Sequence, residues 1–577
     1  MNRFAGIDIE RNVACRLRDG VTLRSDVYRP RLMKESLPVL LMRQPYGKAI
    51  ASTVTYAHPA WYANQGYIVV IQDVRGRGAS EGVFQPFVQE VNDGYDAVEW
   101  AARLSGSDGK VGMYGFSYQG TTQWAAAASG PPHLTAIAPS MCAADLYRGW
   151  FYPHGRFALG SQLPWAAQLG RDEARRRGQP QAEERLARMM QGAVDWVRHL
   201  PLTDVEDIVE FAPYYRDWLE HATYDGYWKE RNWLERLQEY SVPALHVGGW
   251  YDTFLEGTLQ SFAALTRGES NTRNAHRLVV GPWMHIPWGR EAGGVNHGAG
   301  AYGHIDAETV RWFDFWLKGR GDLVTAPVRY FELGSHEWRE ASSWPTEPTE
   351  FTDVAKHTPR SSAWRLCNQG WPANGQGGGG TLVPLNSKNR SAVAYDVLVY
   401  DARLPMPCDS YLPTNRSAIQ ERFEILVYTS APISDPISFL GTPVATVWVE
   451  ALDGPTDVVV TLSRVSSAGE ASFLSVGRST SDGGLGDARS ELAGATEGGS
   501  ITIRLRPIGI QLAAGDCLRV EVTASAFPLF ARHPNGVSEE EIGKAGPSSL
   551  SIATLALGLG DDCPSVLTMP IRLEKAK

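Results

Sequence analysis

Residues 108–124 read DGKVGMYGFSYQGTTQW. An apolar run ends in Gly115, Ser117 stands two places on, and Gly120 opens a run of small residues. A serine in this place can cap the helix that follows, a common role. It can also be a nucleophile raised on a strand-to-helix turn. A hydroxyl attacks a carbonyl well only if a neutral imidazole takes its proton. A carboxylate must then orient that imidazole and stabilise its charge. The motif alone does not decide, because a chain with 58 glycines yields roughly a few tenths of a G-x-S-x-x-G match by composition. Gln119 also stands where the usual G-x-S-x-G elbow has its second glycine.

Context separates the two roles. In a hydrolase of this kind serine, acid and histidine follow in that order, each just past the end of a strand. ALHVGG runs into WYDTF and places Asp252 on a turn, and RLVVG runs into PWMH and places His285 on a loop. His246 is a rival base, but it lies inside a strand. Glu256 is a rival acid, but on a helix pointing away. The helix from Tyr118 to about Ala128 would aim its N-terminal amides at negative charge developing on an attacked carbonyl.

The elements that must hold these residues alternate. VTLRSDVYRP, LPVLLMRQPYG, YIVVIQDV and KVGMY read as strands, with DGYDAVEWAARL as a helix between the last two. Such alternation predicts an α/β hydrolase core, a mostly parallel sheet with helices on both faces. The core's first part spans 1–143 and its second part 241–319, closed by a helix at 305–318. Residues 144–240 are arginine-rich and helical and read as a helical cap insertion. From 320 to 577 short β-branched strands such as TPVATVWVEAL and CLRVEVTASAF alternate with turn residues, which predicts a C-terminal jelly-roll β-sandwich.

Bulk properties narrow the function. At 43% hydrophobic and 21% charged, the 577-residue chain is an ordinary multidomain globular protein. A net charge of −9 without a long basic run excludes nucleic acid and anionic membrane as main partners. No stretch approaches 18 apolar residues and the N-terminus lacks a signal-peptide core, so the expected location is cytoplasmic. The six cysteines are far apart, with no metal-ligand spacing. Free thiols are expected, and no cofactor or metal.

Taken together, RQPYGK (43–48), QDVRGRGASEG (72–82), SDGKVGMYGFSYQG (107–120), GGWYDTF (248–254), GPWMH (281–285) and FLGTPVATVWVEAL (439–452) resemble the cocaine esterase and X-Pro dipeptidyl-peptidase (CocE/NonD) serine hydrolases. The resemblance runs through the whole chain, and G-x-S-Y-x-G is that family's form of the elbow. It implies the triad Ser117, Asp252 and His285, and an oxyanion hole of the Tyr46 hydroxyl with the Tyr118 backbone N–H. On its residues alone Tyr46 reads as a turn residue after a strand. The resemblance also points to Trp150, Trp165 and Phe254 as walls of an acyl pocket. Relatives that hydrolyse α-amino-acid esters carry carboxylates just after the triad acid, where this chain has Thr253 and Phe254. An ammonium group would find no partner there. RGRGASEG lacks the P-loop ending and reads as a structural loop.

The expected function is therefore hydrolysis of small carboxylic esters, with an apolar or aromatic acyl group, through an acyl-enzyme on Ser117. The alternatives are an amidase, acylase or X-Pro dipeptidyl-peptidase using the same residues, and a catalytically silent carbohydrate- or partner-binding protein. A homo-oligomer is left open.

Overall fold

The computed structural model describes residues 6–49, 55–191, 198–239, 242–267, 275–323, 326–344, 363–375, 377–482, 495–496 and 499–572. The expected boundary between insertion and second core segment, at 240–241, lies outside the described residues.

A ten-stranded sheet forms the core. Its strands are β1 (Ile7–Arg16), β2 (Thr22–Pro30), β3 (Leu37–Gln44), β4 (Ile68–Asp73), β5 (Ser107–Phe116), β6 (Leu134–Ser140), β7 (Ala244–Gly249) and β8 (His276–Gly281), joined by Val328–Glu332 and Glu337–Ala341. The first eight are ordered β1-β2-β4-β3-β5-β6-β7-β8, and the last two extend the β8 edge. From β4 to Val328–Glu332 all neighbours are parallel, while both ends of the sheet are antiparallel. Central strands are buried on both faces, which is why β3 and β4 read as unbroken apolar runs. Along β3, Val39 and Leu41 join the core under helices Glu90–Ala102 and Tyr118–Ala128, while Leu40 and Met42 pack under helix Ile305–Lys318. The two-residue period of a strand thus splits one segment between two cores.

The insertion is helical, as its composition implies, and its helix Leu159–Arg176 closes over the carboxyl end of the sheet. The C-terminal region is a β domain built around a twelve-stranded sheet with its own apolar core. The expected start of that domain at 320 precedes two strands that finish the first sheet. Val328–Glu332 pairs in parallel with β8 and then turns back on Glu337–Ala341. Short strands of the two sheets have the same local pattern, and only the pairing partner distinguishes them. Among the described residues no helix is long and apolar enough to cross a membrane.

Candidate active site

The elbow follows from close packing. Ser117 links β5 to helix Tyr118–Ala128 at φ 58° and ψ −128°, a conformation non-glycine residues rarely adopt. Its side chain makes no capping hydrogen bond, so the capping role is not taken. The delayed second glycine has a steric cause. A Cβ on Gly120 would lie 2.5 Å from Cys142 Sγ and 2.9 Å from the Ser140 carbonyl, whereas Gln119 has room and accepts from the Phe116 N–H.

Three loops from three strand ends then meet. His285 Nε2 lies 3.0 Å from Ser117 Oγ, and His285 Nδ1 lies 2.7 Å from Asp252 Oδ1. Asp252 is fully buried and His285 about one-third exposed, so the carboxylate is dry while the imidazole opens to a cavity. The Nδ1–H is directed at the carboxylate, which leaves Nε2 as the acceptor for the serine proton. The rivals lie elsewhere. His246 is buried in β7 beside His276 at 3.4 Å, and burial holds it well below the usual imidazole range. Glu256 faces His154 of the insertion at 3.2 Å.

Tyr46 and Tyr118 flank the serine with donors of different kinds. Tyr118 is the first residue of its helix, so its backbone N–H has no intrahelical acceptor. Its ring is locked away from the cavity, stacked on Phe87 with its hydroxyl donating to Glu90 at 2.9 Å. Arg43 donates to the same Glu90 at 2.6 Å. Burial pushes the Tyr46 phenol up to about 12, more than its hydrogen bonds with Trp165 and Ser117 pull it down. The phenol is therefore neutral and can donate. Trp165 Nε1 donates to the Tyr46 oxygen at 3.2 Å, and an indole N–H can only donate, so the phenol proton is left for another acceptor.

The stretch read as a structural loop anchors this arrangement. Asp73, at the end of β4, accepts from the Lys48 N–H at 2.7 Å, from Lys48 Nζ at 3.0 Å and from the Ala79 N–H at 3.0 Å. Arg77 reaches helix Leu159–Arg176, donating to Asp172 at 2.9 Å and to the Leu169 carbonyl at 3.1 Å. The loop thus ties the segment carrying Tyr46 to the helix carrying Trp165.

A cavity of about 440 Å³ opens on Ser117. Trp150, Trp165, Phe254 and Phe116 wall it, with Gln119, Ser161, Gln162, Gln168 and Thr253 between them and Ile286 at its rim. Trp150 stacks on Phe254 with ring centroids 3.9 Å apart, and Phe254 meets the His285 ring edge-on. Trp165 stacks on Trp218. No Asp, Glu, Lys or Arg lines the cavity among the described residues, and none of its lining comes from the β domain. Sequence reasoning missed the glutamines, although Gln162, Trp165 and Gln168 repeat every three residues on one helix face.

Elsewhere, Asp457, His533 and Glu539 bring ligand-type atoms together among the described residues. Arg156 and Arg478 donate to both carboxylates, so the group is an ion-pair network joining the insertion to the β domain.

Residues 19–287 match the family model of the X-Pro dipeptidyl-peptidase (S15 family), and residues 324–556 match that of the X-Pro dipeptidyl-peptidase C-terminal non-catalytic domain. The chain is 32% identical to the cocaine esterase of Rhodococcus sp. (strain MB1 Bresler), covering 97% of this chain and 98% of that protein. It belongs to the CocE/NonD serine hydrolases. Solved structures of similar fold include an α-amino acid ester hydrolase, with a TM-score of 0.75 at 21% identity, covering 98% of this chain and 97% of that one. A CocE/NonD family hydrolase from Staphylococcus aureus has a TM-score of 0.66 at 20% identity, covering 98% and 94%. Membership makes this chain a hydrolase with serine esterase relatives. Thr253 and Phe254, which follow Asp252 in the chain, both line the cavity.

Proposed function

We propose that this CocE/NonD hydrolase cleaves carboxylic esters of neutral, apolar or aromatic acids through an acyl-enzyme on Ser117. His285 takes the Ser117 proton as Oγ adds to the ester carbonyl, and Asp252 orients and stabilises the imidazolium. The Tyr46 hydroxyl and Tyr118 N–H donate to the tetrahedral oxyanion. Collapse expels the alkoxide, which takes the proton from His285. Water then attacks the acyl-enzyme by the same route and releases the acid. The observation that carries the acyl preference is the aromatic cavity that no Asp, Glu, Lys or Arg lines among the described residues. A planar apolar acyl group would gain burial against Trp150, Trp165 and Phe254. An α-ammonium group would lose hydration without gaining a counter-charge.

The test is a rate comparison on an aromatic acyl aryl ester, its α-amino analogue and the corresponding anilide. Fast turnover of the plain ester is expected, with the other two far slower. Ser117→Ala should lose at least about three orders of magnitude. A preference for the amino ester or anilide would favour an aminoacyl or peptide hydrolase. A parent as inert as the mutant would favour a silent binding protein.

A further inference from the structure

The cavity is built from the core and insertion, but the loop carrying Asp252 is held from behind by the β domain. Between strands Ser500–Arg504 and Ile508–Leu512 the chain passes across residues 250–252. Arg506, only 1% exposed, donates through Nη2 to the backbone carbonyl of Asp252 and to that of Trp250 at 3.3 Å. Its guanidinium lies 3.8 Å from the centroid of the Tyr411 ring, also of the β domain. The same segment presses on the loop at Gly509, where a Cβ would come within 2.3 Å of the Trp250 indole. Arg506 is thus delivered by a backbone already clamped to the residues it bonds.

Charged side chains flank this contact. Asp252 lies on one side of the guanidinium. Glu256, in the first turn of helix Leu255–Thr266, faces both Arg506 and His154 of the insertion. Burial pushes the Glu256 carboxyl up, but His154 and Arg506 outweigh it and hold it below the usual carboxylate range. Tyr411 also faces the guanidinium, and burial pushes its phenol up. Asp252 Oδ2 has no hydrogen-bond partner among the described residues. Loop geometry, rather than a full set of hydrogen bonds, aims this carboxylate at His285.

We propose that Arg506 is a positioning residue for the catalytic centre, through which the β domain fixes the acid loop and sets a positive charge behind Asp252. The inference rests on Asp252 being the triad acid. Through its two carbonyl bonds Arg506 fixes where the Asp252 carboxylate meets His285, so its removal acts on turnover rather than on substrate binding.

The test uses the full chain with Arg506→Lys, which keeps the charge, and Arg506→Gln, which keeps one donor without charge. Rates are normalised to active sites titrated by an acylation burst, so a misfolded fraction is not counted. Arg506→Gln is expected to lower kcat per site about ten- to a hundredfold with KM nearly unchanged. Arg506→Lys should recover part of that loss and lower kcat only about three- to tenfold, because an ammonium keeps charge and donors but loses the planar contact with Tyr411. Wild-type kcat per site in both variants, with loss confined to titre or Tm, would reduce Arg506 to a docking residue and overturn the proposal. If Arg506→Gln does not fold, Arg506→Lys with wild-type kcat per site also overturns it. An Asp252→Ala variant that stays active would instead refute the triad reading beneath the proposal, whatever Arg506 does.

Discussion

Replacing Tyr46 by Phe removes one oxygen and tests the proposed oxyanion hole. Two donors flank Ser117, and only the phenol can be deleted without moving the backbone. The Tyr46 N–H stays on Gln44 Oε1 at 2.9 Å and the Lys48 N–H on Asp73 at 2.7 Å, so the loop keeps its anchors. Loss of one such donor costs about a hundred- to a thousandfold in kcat, or about 3–4 kcal/mol of transition-state stabilisation. A second cost is the Trp165 N–H, which loses its acceptor at 3.2 Å. Trp165 is only half-buried, so water can replace that partner and the penalty stays near about 1 kcal/mol. KM should change by less than about threefold, because the ground-state carbonyl makes weaker use of the donor than the oxyanion does. Burst kinetics with an aryl ester separate acylation from deacylation, and both should slow. The phenol, pushed up to about 12, is a neutral donor across the working range. The Tyr46→Phe defect should therefore be constant with pH below about pH 11. A variant within about threefold of the parent in kcat would refute the two-donor hole and leave the Tyr118 amide and the helix N-terminus to carry the charge.

Two further outcomes follow from the charges. Thr253→Glu would place a carboxylate at the cavity edge without disturbing the stacked Trp150 and Phe254. It should raise the amino-ester to plain-ester ratio of kcat/KM by about tenfold or more, and an unchanged ratio would count against the neutral-pocket argument. In the network between insertion and β domain, burial holds His533 down to about 4. At Asp457 burial pushes up, but Arg156 and Arg478 outweigh it and hold the carboxyl down to about 2. Both folded values lie below the unfolded ones, so both groups stabilise the fold at neutral pH. The His533 contribution is lost as pH falls from about 6.5 through about 4, and that of Asp457 from about 4 through about 2. Each amounts to about 2–3 kcal/mol, and denaturant unfolding against pH should show His533→Gln flattening the first range and Asp457→Asn the second.

Much of the core was legible because period and position agree there. YIVVIQDV could only be a strand buried on both faces, and each residue of the triad constellation follows such a run. The edge strand β1 was not read, because IDIERNVACR faces solvent for most of its length and carries charges where a buried strand carries valine. The strands at 328–341 were assigned to the wrong sheet for a different reason: local pattern says nothing about pairing partner. In the site, Arg43 and Glu90 were missed because a buried charged pair looks in sequence like two surface residues. Arg506 was missed likewise, in a segment 254 residues from the carbonyl it bonds.

That last omission bears on why a β domain accompanies the hydrolase at all. An acid loop past a strand end turns some of its carbonyls away from the sheet. If such carbonyls are covered they must find donors. Here the loop meets part of the need itself: the Asp252 N–H donates to the Gly249 carbonyl at 3.0 Å and the Leu255 N–H to the Asp252 carbonyl at 3.2 Å. The carbonyls of Trp250 and Asp252 both face the β domain, and Arg506 supplies one guanidinium to both. A water could satisfy those oxygens, but it would bring neither a fixed direction nor a charge. The domain whose matched model is termed non-catalytic contributes no residue to the described cavity lining, yet it contributes the guanidinium behind the carboxylate that meets His285.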